Sequence, residues 1–327
     1  MIMRKILITG TSGYIGNALC LYLKKNFVIK GLDKKPSNNL KSAKINLLDF
    51  KKLNQFIKSF NPDTVIHLAA QSLVDETINK KKYFLNNVLA TKNLLLSLKK
   101  NKIRNIIFSS TAAVYKYRNE PIKEKNSLKP VSTYAKTKFK CEKLIKKSNL
   151  NYIILRFFNV CSSLKINKKI VGELHNPETH IIPTIVYKSI FNKKIYIYGN
   201  SYKTKDGSCV RDYIHIKDIC SAIKNCLVIL KNKNQTKEII NIGSQSKITN
   251  LEILNLVKKI IKSPINYKIV KNRKGDVAYL SCSISKAKKK LNWKPTNSKI
   301  EKIIKDEILW VKYLMKHNIK RNFKNYL

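Results

Sequence analysis

The sequence predicts an α/β protein with a doubly wound parallel sheet and a smaller mixed α/β region on its C-terminal side. In the first half, short apolar runs alternate with segments of helical periodicity, which favours a parallel sheet covered by helices. A glycine-rich turn follows the first apolar run. After Asn159 the elements shorten and their connections lengthen. We therefore expect a first domain over residues 1–160 and a second region over residues 161–327, with some elements of the latter returning to the sheet.

The elements of the first half are expected to alternate strictly. Strands are predicted at residues 5–9, 27–32, 64–69, 105–109 and 152–156, and helices at residues 14–25, 50–60, 83–99 and 134–147. For the second half we predict a strand at 195–198, a polar hairpin-like stretch at 201–208, and helices at 183–191, 216–230 and 250–261. A mixed α+β domain of another topology is the structural alternative. No Pro/Gly/Ser-rich linker divides the chain, so we expect the two parts to pack rigidly.

The chain carries a large excess of positive charge. Among its 327 residues, 67 Lys and Arg against 19 Asp and Glu give a formal net charge of +48. Such a charge is compatible with a nucleic-acid or anionic membrane partner. The basic residues are mostly lysines spread along the whole chain, however, which is typical of a solvated surface. We therefore expect no nucleic-acid partner, and an electrostatic attraction for polyanionic substrates.

The cysteines and the hydropathy pattern favour a reducing compartment. The seven cysteines form no C-x-x-C pair and no zinc-type spacing with histidine, so free thiols and no metal site are predicted. The N-terminus runs straight into a predicted strand without a signal peptide. No apolar run approaches the roughly 18 residues of a membrane span. We expect a cytoplasmic protein without a membrane partner.

The turn after the first strand has the spacing of a dinucleotide-binding loop. Gly10, Gly13 and Gly16 form the pattern between strand and helix, and Tyr14 and Ile15 lie within it. Glycine permits a sharp turn and a close approach of the backbone to a pyrophosphate, which rests on the positive end of the helix dipole. All five residues are predicted to bind the cofactor, and the sheet would then be of the Rossmann type.

Asp33 follows the turn by about 20 residues, at the end of the second strand, where a carboxylate accepts hydrogen bonds from the adenosine ribose. It favours NAD over NADP, because its charge would repel a 2′-phosphate. Ligands of such sheets bind at the carboxyl ends of the strands. Further predicted cofactor contacts at strand ends are Asn46, Leu47, Ala69, Ala70 and Gln71.

Tyr134 and Lys138 are the candidate acid/base pair. Their spacing places both side chains on one face of a predicted helix. The pKa of tyrosine is ordinarily about 10, and a lysine ammonium together with a positive nicotinamide ring would lower it by stabilising the phenolate. Thr111 follows the strand at 105–109, where its hydroxyl can hydrogen-bond the reacting oxygen. The triplet predicts hydride chemistry on an alcohol carbon.

With these motifs in order, the sequence resembles the extended short-chain dehydrogenase/reductase superfamily and, within it, the UDP-glucose 4-epimerase family. The resemblance covers nearly the whole chain. Its most specific segment is residues 199–215, GNSYKTKDGSCVRDYIH, which matches the epimerase pattern Y-x-T-x-D-G-[TS]-x-V-R-D-Y-I-H. Supporting matches are HLAA at 67–70, NNV at 86–88, LRFFN at 155–159, RKGD at 273–276 and LNWKP at 291–295.

The resemblance implies a set of ligand contacts. Besides Thr111 and Tyr134, they are Asn87, Lys138 and Phe157 at the nicotinamide, Asn159, Arg211 and Arg273 at the diphosphate, Asp276 at the uridine ribose, Tyr198 at the uracil and Leu280 beside the sugar. Two positions depart from the family pattern. Asn46 stands where members often carry an aspartate that accepts from adenine, and Ala90 replaces a usual glycine. The moderate bulk of Leu280 favours plain hexoses over N-acetylated ones.

The activity that the resemblance implies is 4-epimerisation of a UDP-hexose with tightly bound NAD. A homodimer is implied as well, formed through the helices at 83–99 and 134–147. Epimerisation of UDP-N-acetylglucosamine or another UDP-sugar is the alternative. A 4,6-dehydratase would need an acid and a base after Thr111, where the chain has Ala112 and Ala113. An NAD-binding regulator with a basic nucleic-acid-binding surface would not need the intact triplet.

Overall fold

A computed structural model describes residues 3–36, 42–73, 78–175, 178–232, 235–272 and 276–319. The strands are β1 Lys5–Thr9, β2 Val28–Asp33, β3 Ser42–Lys44, β4 Thr64–His67, β5 Asn105–Thr111, β6 Asn151–Phe157, β7 Asn159–Cys161, β8 Leu164–Ile166, β9 Lys169–Val171, β10 Ile195–Tyr198, β11 Val210–Arg211, β12 Tyr213–His215, β13 Lys237–Ile242, β14 Ile248–Thr249, β15 Tyr267–Val270 and β16 Tyr279–Leu280.

The helices are α1 Tyr14–Leu23, α2 Phe50–Phe60, α3 Lys80–Tyr83, α4 Ala90–Lys100, α5 Thr133–Lys146, α6 Ile181–Ile190, α7 Ile216–Asn232, α8 Asn250–Ile261, α9 Ser285–Leu291 and α10 Ile300–Lys316. A π-helical stretch, Phe84–Leu89, joins α3 to α4, and a 3₁₀ turn, Ala112–Val114, follows β5. The predicted helix at 83–99 is therefore divided: Tyr83 ends α3, the wider π-helical stretch follows, and α4 begins only at Ala90.

Seven strands form the central sheet in the order β13-β6-β5-β4-β1-β2-β3, and every pairing is parallel. The predicted doubly wound sheet is thereby confirmed. Successive side chains of a strand point to opposite faces. Ile6 and Ile8 accordingly join the core beneath α1 and α7, while Leu7 joins the core beneath α2, α4 and α5. The carboxyl ends of these strands meet along one edge, which is where the candidate site lies.

The second half combines small sheets with a third core formed by α6, α8 and α10. Its contribution to the central sheet is β13, which pairs with β6 from Lys237↔Tyr152 to Ile242↔Phe157. The polar stretch at 201–208 is a loop without strand, closed by a hydrogen bond from the Tyr202 backbone nitrogen to the Gly207 carbonyl oxygen (3.1 Å).

All seven cysteines lie in the described ranges and are buried free thiols, as the sequence predicts. Across those same ranges, no helix has both the length and the apolar character that a membrane crossing requires.

Candidate active site

The turn between β1 and α1 has no space for a side chain at two of its glycines. Gly10 has a φ of +77°, and a Cβ there would lie 2.7 Å from the backbone nitrogen of Ala69. A Cβ on Gly16 would lie 2.1 Å from the Gly10 carbonyl oxygen, so α1 packs directly onto the turn. Gly13 is the N-cap of α1 and provides no side chain to cap its N–H groups. This backbone cradle fits a pyrophosphate.

Tyr14 and Ile15 begin α1, but their side chains point into the protein. The Tyr14 hydroxyl donates to the Ser162 carbonyl oxygen at 2.5 Å, and burial raises the pKa of this phenol well above its usual value. Ile15 packs against the core beneath α1. These residues could therefore serve a cofactor through their backbone groups alone.

Asp33 lies beside the glycine turn, as expected of a ribose acceptor. Its Oδ2 accepts from the Ser12 backbone nitrogen at 3.0 Å and its Oδ1 from the Lys35 nitrogen at 2.9 Å. Two backbone N–H groups therefore fix the orientation of the carboxylate. Each oxygen retains lone pairs that can accept from a ribose hydroxyl.

The other predicted cofactor contacts lie along the same edge of the sheet. Asn46 is exposed, and its Oδ1 accepts from the Leu48 backbone nitrogen at 3.1 Å. The Leu47 side chain is buried, and its carbonyl oxygen accepts from Asn93 Nδ2 at 3.0 Å. Ala69, Ala70 and Gln71 follow β4 directly.

The Asn87 side chain hydrogen-bonds both the loop after β4 and the helix α5 and so links the two. Its Oδ1 accepts from the Gln71 backbone nitrogen at 2.7 Å, and its Nδ2 donates to the Gln71 carbonyl oxygen at 3.3 Å and to Thr137 Oγ1 at 2.9 Å. The Asn87 carbonyl, in the π-helical stretch, accepts from Thr91 and Cys141. Such stretches often occur at functional sites. Here the stretch fixes the helix that carries the acid/base pair.

Tyr134, Lys138 and Thr111 come together at the carboxyl end of β5. Ser132 caps α5 by accepting from the Ala135 nitrogen at 3.2 Å, so Tyr134 lies in the first turn and Lys138 one turn later. The Thr111 hydroxyl hydrogen-bonds Tyr134 and also accepts from the Ala113 nitrogen at 3.2 Å.

The charge states of the pair depend on burial. Burial lowers the pKa of Lys138 to about 8, while the nearby Cys141 and Glu142 act in the opposite direction. Burial raises the pKa of Tyr134 to about 12, and the hydrogen bond from Thr111 opposes this by favouring the phenolate. The phenol pKa is therefore not depressed in the protein alone. The positive nicotinamide ring, which the sequence analysis invoked together with Lys138, would have to supply that depression.

A buried ion pair behind the acid/base pair was missed by sequence reasoning. The Arg156 guanidinium donates to Glu142 Oε1 at 3.0 Å and Oε2 at 2.7 Å, and both side chains are only 2% exposed. Ser110 Oγ donates to Glu142 Oε1 at 2.5 Å. Glu142 is one turn beyond Lys138, so these bonds tie α5 to the ends of β5 and β6.

Three of the residues implied for the nucleotide-sugar lie close together: Arg211 on β11, Leu280 on β16 and Asp276 shortly before β16. Arg211 Nη1 donates to the carbonyl oxygens of Val210 (3.0 Å) and Val277 (2.7 Å), and its Nη2 lies 3.7 Å from Asp276 Oδ1. Leu280 is the register partner of Arg211. Tyr198 ends β10 and is half-buried, whereas Arg273 lies outside the described residues.

Asn159 and Phe157 connect this group to the acid/base pair. Phe157 is the register partner of Thr111 at the ends of β6 and β5. Asn159 follows two residues later, and its Nδ2 donates to the Asp212 carbonyl oxygen at 3.1 Å, next to Arg211. A short stretch of β6 and β7 and one hydrogen bond therefore connect the strand end at Thr111 to the neighbour of Arg211.

Asp212 is a second buried carboxylate that sequence reasoning did not assign. Its Oδ1 accepts from the backbone nitrogen and the hydroxyl of Ser244, and its Oδ2 accepts from the nitrogens of Gln245 and Cys282. The carboxylate joins the loops after β11, β13 and β16. Its place in the segment 199–215 was the signal that could have revealed it.

Comparison with known proteins gives consistent matches. The model of the "NAD dependent epimerase/dehydratase family" matches residues 6–243. A protein of Halalkalibacterium halodurans named UDP-glucose 4-epimerase is 32% identical over 94% of this chain and 95% of its own length. One of the same name from Streptococcus mutans is 38% identical over 76% of this chain and 77% of its own.

Solved structures agree with these matches. A UDP-glucose 4-epimerase crystal structure is 33% identical, with a TM-score of 0.88 over 95% of this chain and 98% of that one. The Bifidobacterium longum UDP-glucose 4-epimerase, solved with NAD⁺ and UDP, is 26% identical, with a TM-score of 0.85 over 96% of this chain and 99% of its own.

Proposed function

This chain belongs to the NAD dependent epimerase/dehydratase family, and on that premise we propose that it interconverts UDP-galactose and UDP-glucose through a transient 4-keto sugar. The observation that carries the proposal is the convergence of Tyr134, Lys138 and Thr111 at one strand end. The names of the relatives support the choice of substrate. The cofactor is NAD, for which the glycine cradle and Asp33 are suited.

Tyr134 acts first as the base and then as the acid on the C4 oxygen of the sugar. NAD, when bound, supplies the hydride acceptor and donor. The Tyr134 phenolate removes the proton of the C4 hydroxyl while Thr111 hydrogen-bonds the same oxygen. The Lys138 ammonium stabilises the phenolate. The retained proton is returned to the oxygen after the sugar has presented its other face.

Arg211 and its neighbours hold the UDP part during this change of face. The guanidinium of Arg211 is suited to a diphosphate, and Asp276 to ribose hydroxyls. Binding energy from the nucleotide then retains the keto sugar and limits its movement to rotation about the diphosphate linkage. Arg273, implied by the resemblance alone, would join Arg211 there.

A homodimer and a cytoplasmic location are further parts of the proposal. The surface expected to pair runs along the segments 83–99 and 134–147. On the first of them, Phe84 in the π-helical stretch and Leu96 in α4 are 45% and 47% exposed. Bacterial relatives support the cytoplasmic location. Sedimentation at several concentrations would test the dimer.

The test is incubation of the purified protein with UDP-galactose and, separately, UDP-N-acetylgalactosamine, with chromatographic detection of the epimer. We expect UDP-glucose from the first substrate and little product from the second. Tyr134→Phe should lower turnover by about 10²-fold or more while NAD stays bound. Near-normal turnover of this variant would contradict the assignment. Failure of both substrates, with salt-dependent nucleic-acid binding, would favour a regulator instead.

A further inference from the structure

Asp212 carries a buried carboxylate directly beside Arg211, the residue proposed to hold the diphosphate. Its side chain is 0% exposed. We propose that Asp212 is a positioning residue for the nucleotide: its carboxylate and its main-chain carbonyl hold Arg211 and Asn159 in the arrangement that binds the diphosphate. This role rests on the proposed epimerase function and adds to it a residue that contacts neither the cofactor turn nor the acid/base pair.

Both oxygens of the Asp212 carboxylate accept hydrogen bonds. Oδ1 accepts from the backbone nitrogen of Ser244 at 2.7 Å and from its hydroxyl at 2.9 Å. Oδ2 accepts from the backbone nitrogens of Gln245 and Cys282, both at 3.1 Å. Burial raises the pKa of Asp212, and the bonds from Ser244 and Cys282 oppose that rise. Because a backbone N–H can only donate, the three backbone donors favour the ionised form.

The donors belong to two segments that are distant in sequence, the loop after β13 and the residues after β16. Asp212 itself follows β11, which pairs with β16 through Arg211 and Leu280. The carboxylate therefore joins three segments at one point. Packing there is tight, since a Cβ on Gly243 would lie 2.9 Å from Asp212 Oδ2. A change at this point should therefore move the neighbouring Arg211.

The Arg211 guanidinium is oriented by one of the segments that Asp212 holds. Its Nη1 donates to the carbonyl oxygens of Val210 at 3.0 Å and Val277 at 2.7 Å. Val277 lies shortly before β16, and the carboxylate holds the residues that follow the same strand. Fixing β16 thus fixes the carbonyl that orients the guanidinium. The other N–H donors of the guanidinium are then directed toward a diphosphate.

The main-chain carbonyl of Asp212 orients Asn159. It accepts from both the backbone nitrogen and Nδ2 of Asn159, each at 3.1 Å. Asp212 therefore governs two of the groups implied for the diphosphate, Arg211 through its side chain and Asn159 through its main chain. A site that is already ordered loses less conformational freedom when it binds a ligand. We therefore expect the affinity for the nucleotide to depend on the Asp212 carboxylate.

The experiment compares the NAD-loaded wild-type chain with Asp212→Asn, by calorimetry with UDP and by kinetics with UDP-galactose. Asparagine keeps the shape of the side chain, but in either orientation its NH₂ group faces a backbone N–H. We expect the Kd of UDP and the KM to rise about tenfold or more, while kcat changes by less than about threefold. The reason is that Tyr134, Lys138 and Thr111 remain in place.

Asp218→Asn is the matched control. Asp218 is 1% exposed, and both of its oxygens also accept from backbone nitrogens, those of Thr296 at 3.2 Å and Asn297 at 2.8 Å. Asn297 Nδ2 and the Ser298 hydroxyl donate to the same carboxylate. These partners are assigned no ligand. Asp218→Asn should therefore lower stability in urea about as much as Asp212→Asn, yet keep the wild-type affinity for UDP.

Ser244→Ala provides a milder test, which decides the question if Asp212→Asn does not fold. It removes only the hydroxyl donor to Oδ1, and we expect UDP to bind about threefold more weakly. Wild-type UDP affinity of folded Asp212→Asn, or of Ser244→Ala where Asp212→Asn does not fold, would overturn the proposal. So would an equal loss of affinity in Asp218→Asn. If the wild-type chain itself binds no UDP, the proposed function fails, and the role of Asp212 fails with it.

Discussion

Replacing Glu142 by glutamine removes the negative charge of the buried pair that Glu142 of α5 forms with Arg156, while keeping the size and shape of the side chain. Arg156 would then be left 2% exposed without a carboxylate, having lost contacts of 3.0 and 2.7 Å. Removing one partner of a buried ion pair costs about 3–5 kcal/mol. The glutamine oxygen can still accept from one or two of the three donors, so we expect the free energy of unfolding to fall by about 3 kcal/mol.

Urea unfolding followed by circular dichroism measures this loss, with an unchanged m-value as the check for two-state behaviour. Glu120→Gln is the matched control, because its pair with Arg118 is exposed and should change stability by less than about 1 kcal/mol. A loss below about 1 kcal/mol for Glu142→Gln would refute the argument. Glu142 also raises the pKa of Lys138, so the basic limb of kcat/KM should move to lower pH in the variant.

Three further predictions follow from the site. Lys138→Met should abolish most turnover yet stabilise the fold at neutral pH. Burial lowers the pKa of Lys138 from 10.5 to about 8, so between these two pH values the unfolded wild-type chain binds one proton more than the folded chain. The free energy of unfolding of the wild-type protein should therefore rise with pH across that window. Denaturant unfolding between pH 7 and 10.5 checks this, and an unchanged pH dependence in the variant would contradict it. Gly16→Ala should greatly weaken NAD binding measured by calorimetry, because its Cβ would lie 2.1 Å from the Gly10 carbonyl oxygen; wild-type affinity would show that the turn is not the pyrophosphate cradle. Leu280→Ala should raise kcat/KM for UDP-N-acetylgalactosamine relative to UDP-galactose, and no change in the ratio would mean that this side chain does not limit the sugar pocket.

Local patterns predicted much of the fold. The predicted bounds of β1, α2, β10 and α8 coincide with those of the structure, because their apolar periodicity is carried entirely by the element itself. The glycine turn, Asp33 and the Tyr134/Lys138 pair could be located for the same reason. Each depends on residues that are close in sequence or fixed by the strand order.

What could not be predicted depends on partners distant in the chain. We expected elements of the second half to return to the sheet, but the strand β13 itself was not predicted, since its place is set by pairing with β6 rather than by its own pattern. Glu142 and Arg156 each look like ordinary charged residues until α5 is packed against β6. The raised pKa of Tyr134 was also unforeseen, because the sequence gives no measure of burial.

The pairing of β13 with β6 has a consequence for any attempt to divide this protein. A fragment ending at residue 160 would keep the glycine turn and the acid/base pair but would expose the whole edge of β6, with unpaired backbone groups and apolar side chains. Such a fragment is an aggregation hazard rather than a cofactor-binding module. Phe158, whose nitrogen donates to the Ile242 carbonyl oxygen at 3.0 Å, lies between Phe157, which we propose to contact the cofactor, and Asn159, which we propose to contact the substrate. We therefore expect the two halves of the chain to unfold together rather than one after the other.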